Sequence, residues 1–409
     1  MRFTLLALAL AASLPGRLIA QTRLVGERVF PTTNGVPVYD EKREKEVGKW
    51  SLGFAGVLKQ DGDWVYVKTN EFPGEQLGWV KQQSVMTAND SIGFYNSQVQ
   101  QKPDMVWLQC NRGIARRLRG EYEAAVKDLS AAMRHTKAAF VAYNRGNAYL
   151  DDGQHIPAID DFTRAIRLEP KYVSAYYNRA FAYFETKEFD KAIADFTAVG
   201  RLDPKDAGVP FNLGNIYSAK GEADKAVESY TEAVRLDPEF AQAYYNRGLL
   251  YGKRKDFAKA IADYSAAVKV EPVFGVAYTD RALAFAATGE YAKAAADHKL
   301  AVKHSPKDFR CFHNYAWFLA TCPNADHRDG KLAVELAKEA IVLTKERDPS
   351  CYSGLGVAYA ECGEFEKAIE SEKAALENKA YAANHGESGR EFIKLYEQKK
   401  PVRMPAPKH

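Results

Sequence analysis

Apolar and polar residues between positions 211 and 272 follow a helical rhythm that repeats itself. The stretches FNLGNIYSAKGEADKAVESYTEAVRLDP and AYYNRGLLYGKRKDFAKAIADYSAAVKVEP superpose with a period of 34 residues. Each predicts two helices joined by a short polar turn. Gly214 and Gly248 sit inside the first helix of their hairpins, where glycine costs about 1 kcal/mol relative to alanine, so a close helix contact must offset the loss. Twelve residues on, Ala226 and Ala260 supply the matching small positions, and Tyr230 and Tyr264 are the aromatics the approach buries. Pro238 and Pro272 stop the second helix. The frame extends outward through Gly113, Gly146, Ala180, Ala282, Ala316 and Gly356 at the first small position, and through Ala125, Ala158, Ala192, Ala294 and Ala368 at the second. Eight hairpins are expected.

These residues resemble the tetratricopeptide repeat (TPR) family over residues 91–379. The resemblance implies a mainly α chain, an α-solenoid of about eight hairpins, whose concave face grips peptides or partner helices. It does not fix a process, because such arrays serve many. Residues 89–103 fit the second helix of a repeat whose first is missing, a half repeat that caps the array (residues 104–386). Residues 387–400, with Phe392, Leu395 and Tyr396 on one face, are expected to form a C-terminal capping helix, and 401–409 a frayed tail. Pro157 falls in the first turn of a second helix, where proline is tolerated. The seventh repeat, WFLATCPNADHRDGKLAVELAKEA, has a turn about six residues longer than the others and resembles exported bacterial TPR proteins.

The rhythm differs in residues 27–86. ERVFP, VPVYD, WSLGFAGVLK, DWVYVK and LGWVK alternate with period two between Asn34-Gly35, Asp61-Gly62 and Pro73-Gly74 turns, which predicts five short strands. V-x-V-Y, G-D-W-V-Y-V and G-W-V resemble bacterial SH3-like domains, implying a small all-β barrel. Tyr39, Trp50, Trp64, Trp79 and Tyr66 either line a groove for a peptide or for peptidoglycan, or fill a small core that needs large side chains. The run DEKREKEVGK at 40–49 is expected to be a solvated hairpin loop, and the short linker implies that the β domain packs against the array.

Composition narrows the partners. The formal charge is +4 with 46% hydrophobic and 27% charged residues, and no basic helix face with interleaved aromatics is present, so nucleic acid is not implied. Residues 1–20 carry Arg2, an apolar run from Phe3 to Leu14, Pro15-Gly16 and Ala20, which reads as an export signal. A periplasmic, cell-envelope or secreted location follows, with no membrane span after signal removal. The five cysteines are expected to be mostly buried thiols.

Two columns run through the repeats. Asn111, Asn144, Asn178, Asn212, Asn246, Asp280 and Asn314 stand two residues before the first small position, and Gly354 ends the series. Stacked amides can donate to and accept from an extended peptide backbone without reading its side chains. This resembles the asparagine ladder in the TPR superhelix of O-linked N-acetylglucosamine transferase. The opposing reading is that each amide bonds within its own helix. Tyr143, Tyr177, Phe211 and Tyr245 precede the column and either flank the groove or pack between repeats. Asp280 is expected to prefer a basic group. The second column is Arg112, Arg145, Arg179, Arg247 and Arg281, with Leu213 as exception. Structural ion pairs between repeats, with Asp128, Asp161, Asp195 and Asp263, outweigh an anion clamp. Cys311, His313, Cys322 and His327 straddle a helix and a turn and make a poor metal set. No catalytic motif or cofactor loop is present. The sequence therefore reads as an exported, non-enzymatic scaffold for a protein or peptide partner. The alternatives are a cell-wall-associated assembly factor and a regulatory subunit of an envelope enzyme.

Overall fold

The computed structural model describes residues 28–31, 36–50, 55–61, 63–69, 77–82 and 85–406. The export signal at residues 1–20, the Asn34-Gly35 and Pro73-Gly74 turns, and Gly62 lie outside them. The chain divides into two units, residues 1–204 and 205–409.

In the first unit, β1 (Arg28–Pro31), β2 (Val36–Tyr39), β3 (Glu46–Trp50), β4 (Ala55–Asp61), β5 (Trp64–Thr69), β6 (Leu77–Lys81) and β7 (Val85–Thr87) form one antiparallel sheet in the order β3-β2-β6-β5-β4-β1-β7. The five expected strands thus become seven. WSLGFAGVLK is not one strand: β3 ends at Trp50 and β4 begins at Ala55. Within 40–49, only residues 41–45 turn, because Glu46–Lys49 pair with β2. Alternation gives the sheet two faces. Val36, Val38, Trp50, Val57, Val65, Val67 and Val80 form the core on one. Trp50 is completely buried there.

The first unit continues with α1 (Ala88–Gln101), α2 (Val106–Leu118), α3 (Tyr122–His135), α4 (Ala139–Asp151), α5 (His155–Leu168), α6 (Val173–Glu185) and α7 (Phe189–Leu202). The sheet and helices share a core in which Phe30 meets Ile92, Tyr95, Leu108 and Ile114. Tyr95 Oη donates to the Pro31 carbonyl at 2.8 Å, so the β region does pack against the array. Pro157 is the third residue of α5, where no helical partner for its nitrogen is needed.

The second unit contains α8 (Gly208–Lys220), α9 (Ala223–Leu236), α10 (Ala241–Lys253), α11 (Phe257–Val270), α12 (Gly275–Ala287), α13 (Tyr291–His304), α14 (Phe309–Thr321), α15 (Gly330–Leu343), α16 (Pro349–Glu361), α17 (Phe365–Glu377) and α18 (Lys379–Glu397). A 3-10 turn at Ala325–His327 occupies the long connection between α14 and α15. Among the described residues the eight expected hairpins are all present, from α2/α3 to α16/α17. The architecture is mainly helical, with hairpins stacked as in an α-solenoid within each unit.

Small residues set the packing as expected. A Cβ on Gly214 would meet the Tyr230 ring at 2.6 Å, and one on Gly248 the Tyr264 ring at 2.8 Å. Ala125, Ala158, Ala192, Ala226, Ala260, Ala294 and Ala368 are all fully buried. The C-terminus differs from expectation. The capping helix begins at Lys379, eight residues early, and the tail is not frayed at its start. Met404 N donates to Thr321 O at 2.9 Å, Arg403 Nη1 donates to Ala320 O at 3.1 Å, and Arg403 pairs with Glu361 at 2.6 Å. The segment satisfies carbonyls that the end of α14 leaves open and sets a cation at that helix's negative pole.

Candidate functional site

The arginine column resolves into a repeated clamp. In α4, Arg145 Nε and Nη2 donate to Asp161 Oδ2 and Oδ1 of α5, both at 2.7 Å. Arg112–Asp128, Arg179–Asp195, Arg247–Asp263 and Arg281–Asp297 repeat this two-point geometry at 2.6 to 2.8 Å. The carboxylates are buried, and their hydrogen bonds hold the Arg145 and Arg247 guanidiniums above the usual arginine range. The ion pair lies within one hairpin, a correction to the expectation that it joins two. What joins two is the remaining nitrogen. Nη1 of Arg145, Arg179, Arg247 and Arg281 donates to Ser130, Thr163, Thr231 and Ser265 on the second helix of the preceding hairpin at 2.9 to 3.0 Å. Arg112 reaches Asn96 of α1 instead, at 3.2 Å, so α1 stands where a second helix would stand. Each clamp thus commits three of the five guanidinium N–H groups inside the array.

The asparagine column behaves differently at each level. In the first unit, Asn111 and Asn144 are buried. Asn111 hydrogen-bonds Tyr95, and Asn144 Nδ2 donates to Phe140 O in its own helix at 2.9 Å. Asn178 is half-buried and donates to Asn147 Oδ1 at 2.6 Å and Tyr143 Oη at 3.2 Å. In the second unit all the column residues are half-buried. Asn212 and Asn314 donate to Gly208 O and Arg310 O, both at 2.8 Å, and Asn246 donates to Asn215 Oδ1 at 3.1 Å. Asp280 Oδ2 accepts from Tyr245 Oη at 2.7 Å. The column ends at Gly354 for a steric reason: a Cβ there would lie 2.9 Å from His313 Nδ1.

The preceding aromatics pack inside the array. Tyr143 meets Phe162 and Tyr172, Phe211 meets Tyr230 and Phe240, and Tyr245 meets Tyr264 and Phe274, at centroid distances of 4.7 to 5.9 Å. Tyr177 lies 5.2 Å from Phe196. Sequence reasoning missed Asn147 and Asn215, which follow the first small position in alternate hairpins and receive the next column amide. Their signal was available as an Asn three residues after a column Asn.

On the sheet, three of the four candidate aromatics gather on the face away from the core. Tyr39 and Trp64 meet edge to face at 5.2 Å, and Tyr66 joins Trp79 at 5.1 Å. The Arg43 guanidinium lies 3.9 Å from the Trp79 ring and the Lys81 ammonium 4.0 Å from the Trp64 ring, close enough for cation–π attraction. Trp50 belongs to the opposite face.

Among the described residues no cluster of three metal-ligating side chains occurs, and no helix is long and apolar enough to cross a membrane. All five cysteines are free thiols and four are buried. Burial pushes Cys110 up to about 12 and Cys351 up to about 11, which removes thiolate character.

Comparison with known proteins places the repeats. The TPR repeat model matches residues 146–187 and 214–255, and two tetratricopeptide repeat models match residues 241–274 and 173–206. No curated protein matches the chain. Among solved structures, MamA is 25% identical over 39% of this chain and 94% of its own, with a TM-score of 0.37. YrrB, described as a TPR protein with an unusual peptide-binding site, is 17% identical over 46% and 97%, with a TM-score of 0.38. A tetratricopeptide repeat protein from Parabacteroides merdae is 19% identical over 64% and 100%, with a TM-score of 0.43. The assignment rests on the family models, which meet the hairpins where the clamps and small positions repeat: the chain carries tetratricopeptide repeats at residues 146–206 and 214–274.

Proposed function

We propose that this chain is an exported, non-enzymatic protein-interaction scaffold that holds a polypeptide partner along the amide columns of its tetratricopeptide hairpins. The observation that carries the reading is the column itself. Asn178 in the first unit and Asn212, Asn246 and Asn314 in the second are half-buried on the first helices, and each spends its amide N–H on a neighbour. An amide offers two N–H donors and a carbonyl acceptor. Asn212 and Asn314 thus keep a second N–H beside the Oδ1 acceptor for an extended backbone, whereas Asn178 spends both N–H groups inside the array and offers its Oδ1. Asn111 and Asn144 are buried and contribute internal support. Export rests on residues 1–20, and a periplasmic or cell-envelope location follows from it.

The test is retention. The full chain and an Asn178→Ala, Asn212→Ala, Asn246→Ala variant are immobilised and exposed to envelope proteins. A partner held by the unmodified chain and lost by the variant, at unchanged melting temperature, supports the reading; equal retention on both removes it.

A second reading concerns the β region as an SH3-like domain that binds peptidoglycan or a peptide. Its support is the gathering of Tyr39, Tyr66, Trp64 and Trp79 on one face under Arg43 and Lys81. Retention of the full chain on purified cell wall, lost on Trp64→Ala, is the expected result.

A further inference from the structure

Six aspartates on the helices of the hairpins are wholly or partly withdrawn from water, five of them buried and Asp280 half-buried. Five of them, Asp128, Asp161, Asp195, Asp263 and Asp297, hold an arginine in two-point geometry. Asp280 of α12 does not. Its Oδ2 accepts from Tyr245 Oη at 2.7 Å, and among the described residues no cation lies within ion-pair distance of it. The guanidinium whose charge acts on it, Arg310 of α14, is committed to Asp308 in three hydrogen bonds of 2.5 to 3.2 Å. A carboxylate taken part-way out of water without a cation is costly. Burial accordingly pushes the Asp280 carboxyl above its ordinary range.

Two further features place this carboxylate on a face rather than in a core. It occupies the one column position where the amide series changes to an acid, between Asn246 and Asn314, and it is half-buried, not enclosed. One turn further along α12, Leu283 is 41% exposed on the same side of the helix. An amide serves any peptide backbone, whereas a carboxylate at the same place selects for positive charge.

We propose that Asp280 is the specificity element of the α10–α12–α14 face, taking the ammonium or guanidinium of a bound polypeptide while Leu283 receives an apolar side chain beside it. The assignment rests on the polypeptide-binding reading above. It names the partner's chemistry: an extended segment with a lysine or arginine next to an apolar residue. Binding supplies the cation that the five clamped aspartates obtain from their own hairpins.

Random twelve-residue peptides displayed on phage, selected on the full chain and on Asp280→Asn, test it. The variant restores the column amide and keeps an acceptor for Tyr245 Oη. The expected result is that peptides selected on the unmodified chain share a Lys or Arg in a fixed register beside an apolar residue. Changing that Lys to Gln, or Asp280 to Asn, weakens binding about tenfold, and combining the two adds little further loss. The peptide change measures the pairing even if the protein variant is unstable. Peptides that lose affinity with Asn212→Ala and Asn246→Ala but bind Asp280→Asn unchanged overturn the assignment and leave the column reading intact. Failure to select any peptide, or indifference to every column variant, removes both.

Discussion

Two hairpins of the second unit, α10/α11 and α16/α17, are built on the same frame and fastened by opposite means. In the first, Arg247 and Asp263 form a two-point ion pair and Tyr264 fills the space beside Gly248. In the second, the corresponding residues are Leu355, Ser371 and Glu372. A Cβ on Gly356 would lie 3.0 Å from the Ala368 carbonyl, so there it is backbone that closes on the glycine. Glu372 is completely buried, bonded by Ser353 Oγ at 2.7 Å, and faces Gly389 of α18. The frame fixes where helices approach; it does not fix whether charge or apolar surface holds them.

The strongest way to break the comparison is to make one hairpin resemble the other. Arg247→Ala strands the buried Asp263 and should cost about 3 kcal/mol in denaturant unfolding. Arg247→Leu with Asp263→Ser, the residues of α16/α17, should cost about 1 kcal/mol or less. Equal losses would show that the clamp stabilises by more than removal of a lone charge. His298 of α13 stands at the Tyr264 position, completely buried, with neither ring nitrogen hydrogen-bonded and its ring stacked on Tyr315 at 5.5 Å. Burial pushes it down to about 3. The unfolded chain binds a proton there below about pH 6.5 while the folded chain does not, so stability is full above that pH and falls as pH drops toward 3. The expected loss is about 2 kcal/mol between pH 7.5 and pH 5, and His298→Tyr should flatten this part of the profile.

Glu372 titrates with the opposite sign. Burial raises its carboxyl, partly offset by the Ser353 hydroxyl, so the folded chain holds this proton more tightly than the unfolded chain does. Its contribution is fully present below the ordinary glutamate range and is lost as pH rises through the raised folded value. Glu372→Gln should therefore stabilise by about 1 kcal/mol at pH 7.5 and by little at pH 4, read from melting curves at both. The smallest contrast is in the turns. Gly363, before α17, has φ +79°, while Lys255, before α11, holds φ +59°. Lys255→Gly should gain about 0.5 kcal/mol, and no gain would mean that the lysine side chain compensates for its backbone.

Most of the helical frame was legible because one repeat explains the next. Gly214, Ala226 and Tyr230 recur as Gly248, Ala260 and Tyr264, so the period carried the hairpins, their packing and the arginine–aspartate pairing. What escaped was aperiodic or non-local. The contact of residues 401–404 with the end of α14 leaves no periodic trace, and neither does the division of 50–59 into β3 and β4. Trp50 and Trp64 are alike in composition terms and differ only in pleat parity, which a shift at Val38/Tyr39 obscures. For the candidate site, the column's position was legible but its internal bonding was not: whether an amide turns to its own helix or to Asn147 or Asn215 depends on the neighbouring hairpin.

The remaining nitrogen of each clamp has a thermodynamic consequence of its own. Because Arg247 completes its bonds only on Thr231 of α9, and Arg281 only on Ser265 of α11, part of each hairpin's stability belongs to the junction and not to the hairpin. Such an array behaves as a one-dimensional cooperative chain with nearest-neighbour couplings. Opening of α8/α9 should lower the free energy for opening α10/α11, and amide hydrogen exchange should report adjoining hairpins as shared protection units rather than as independent ones.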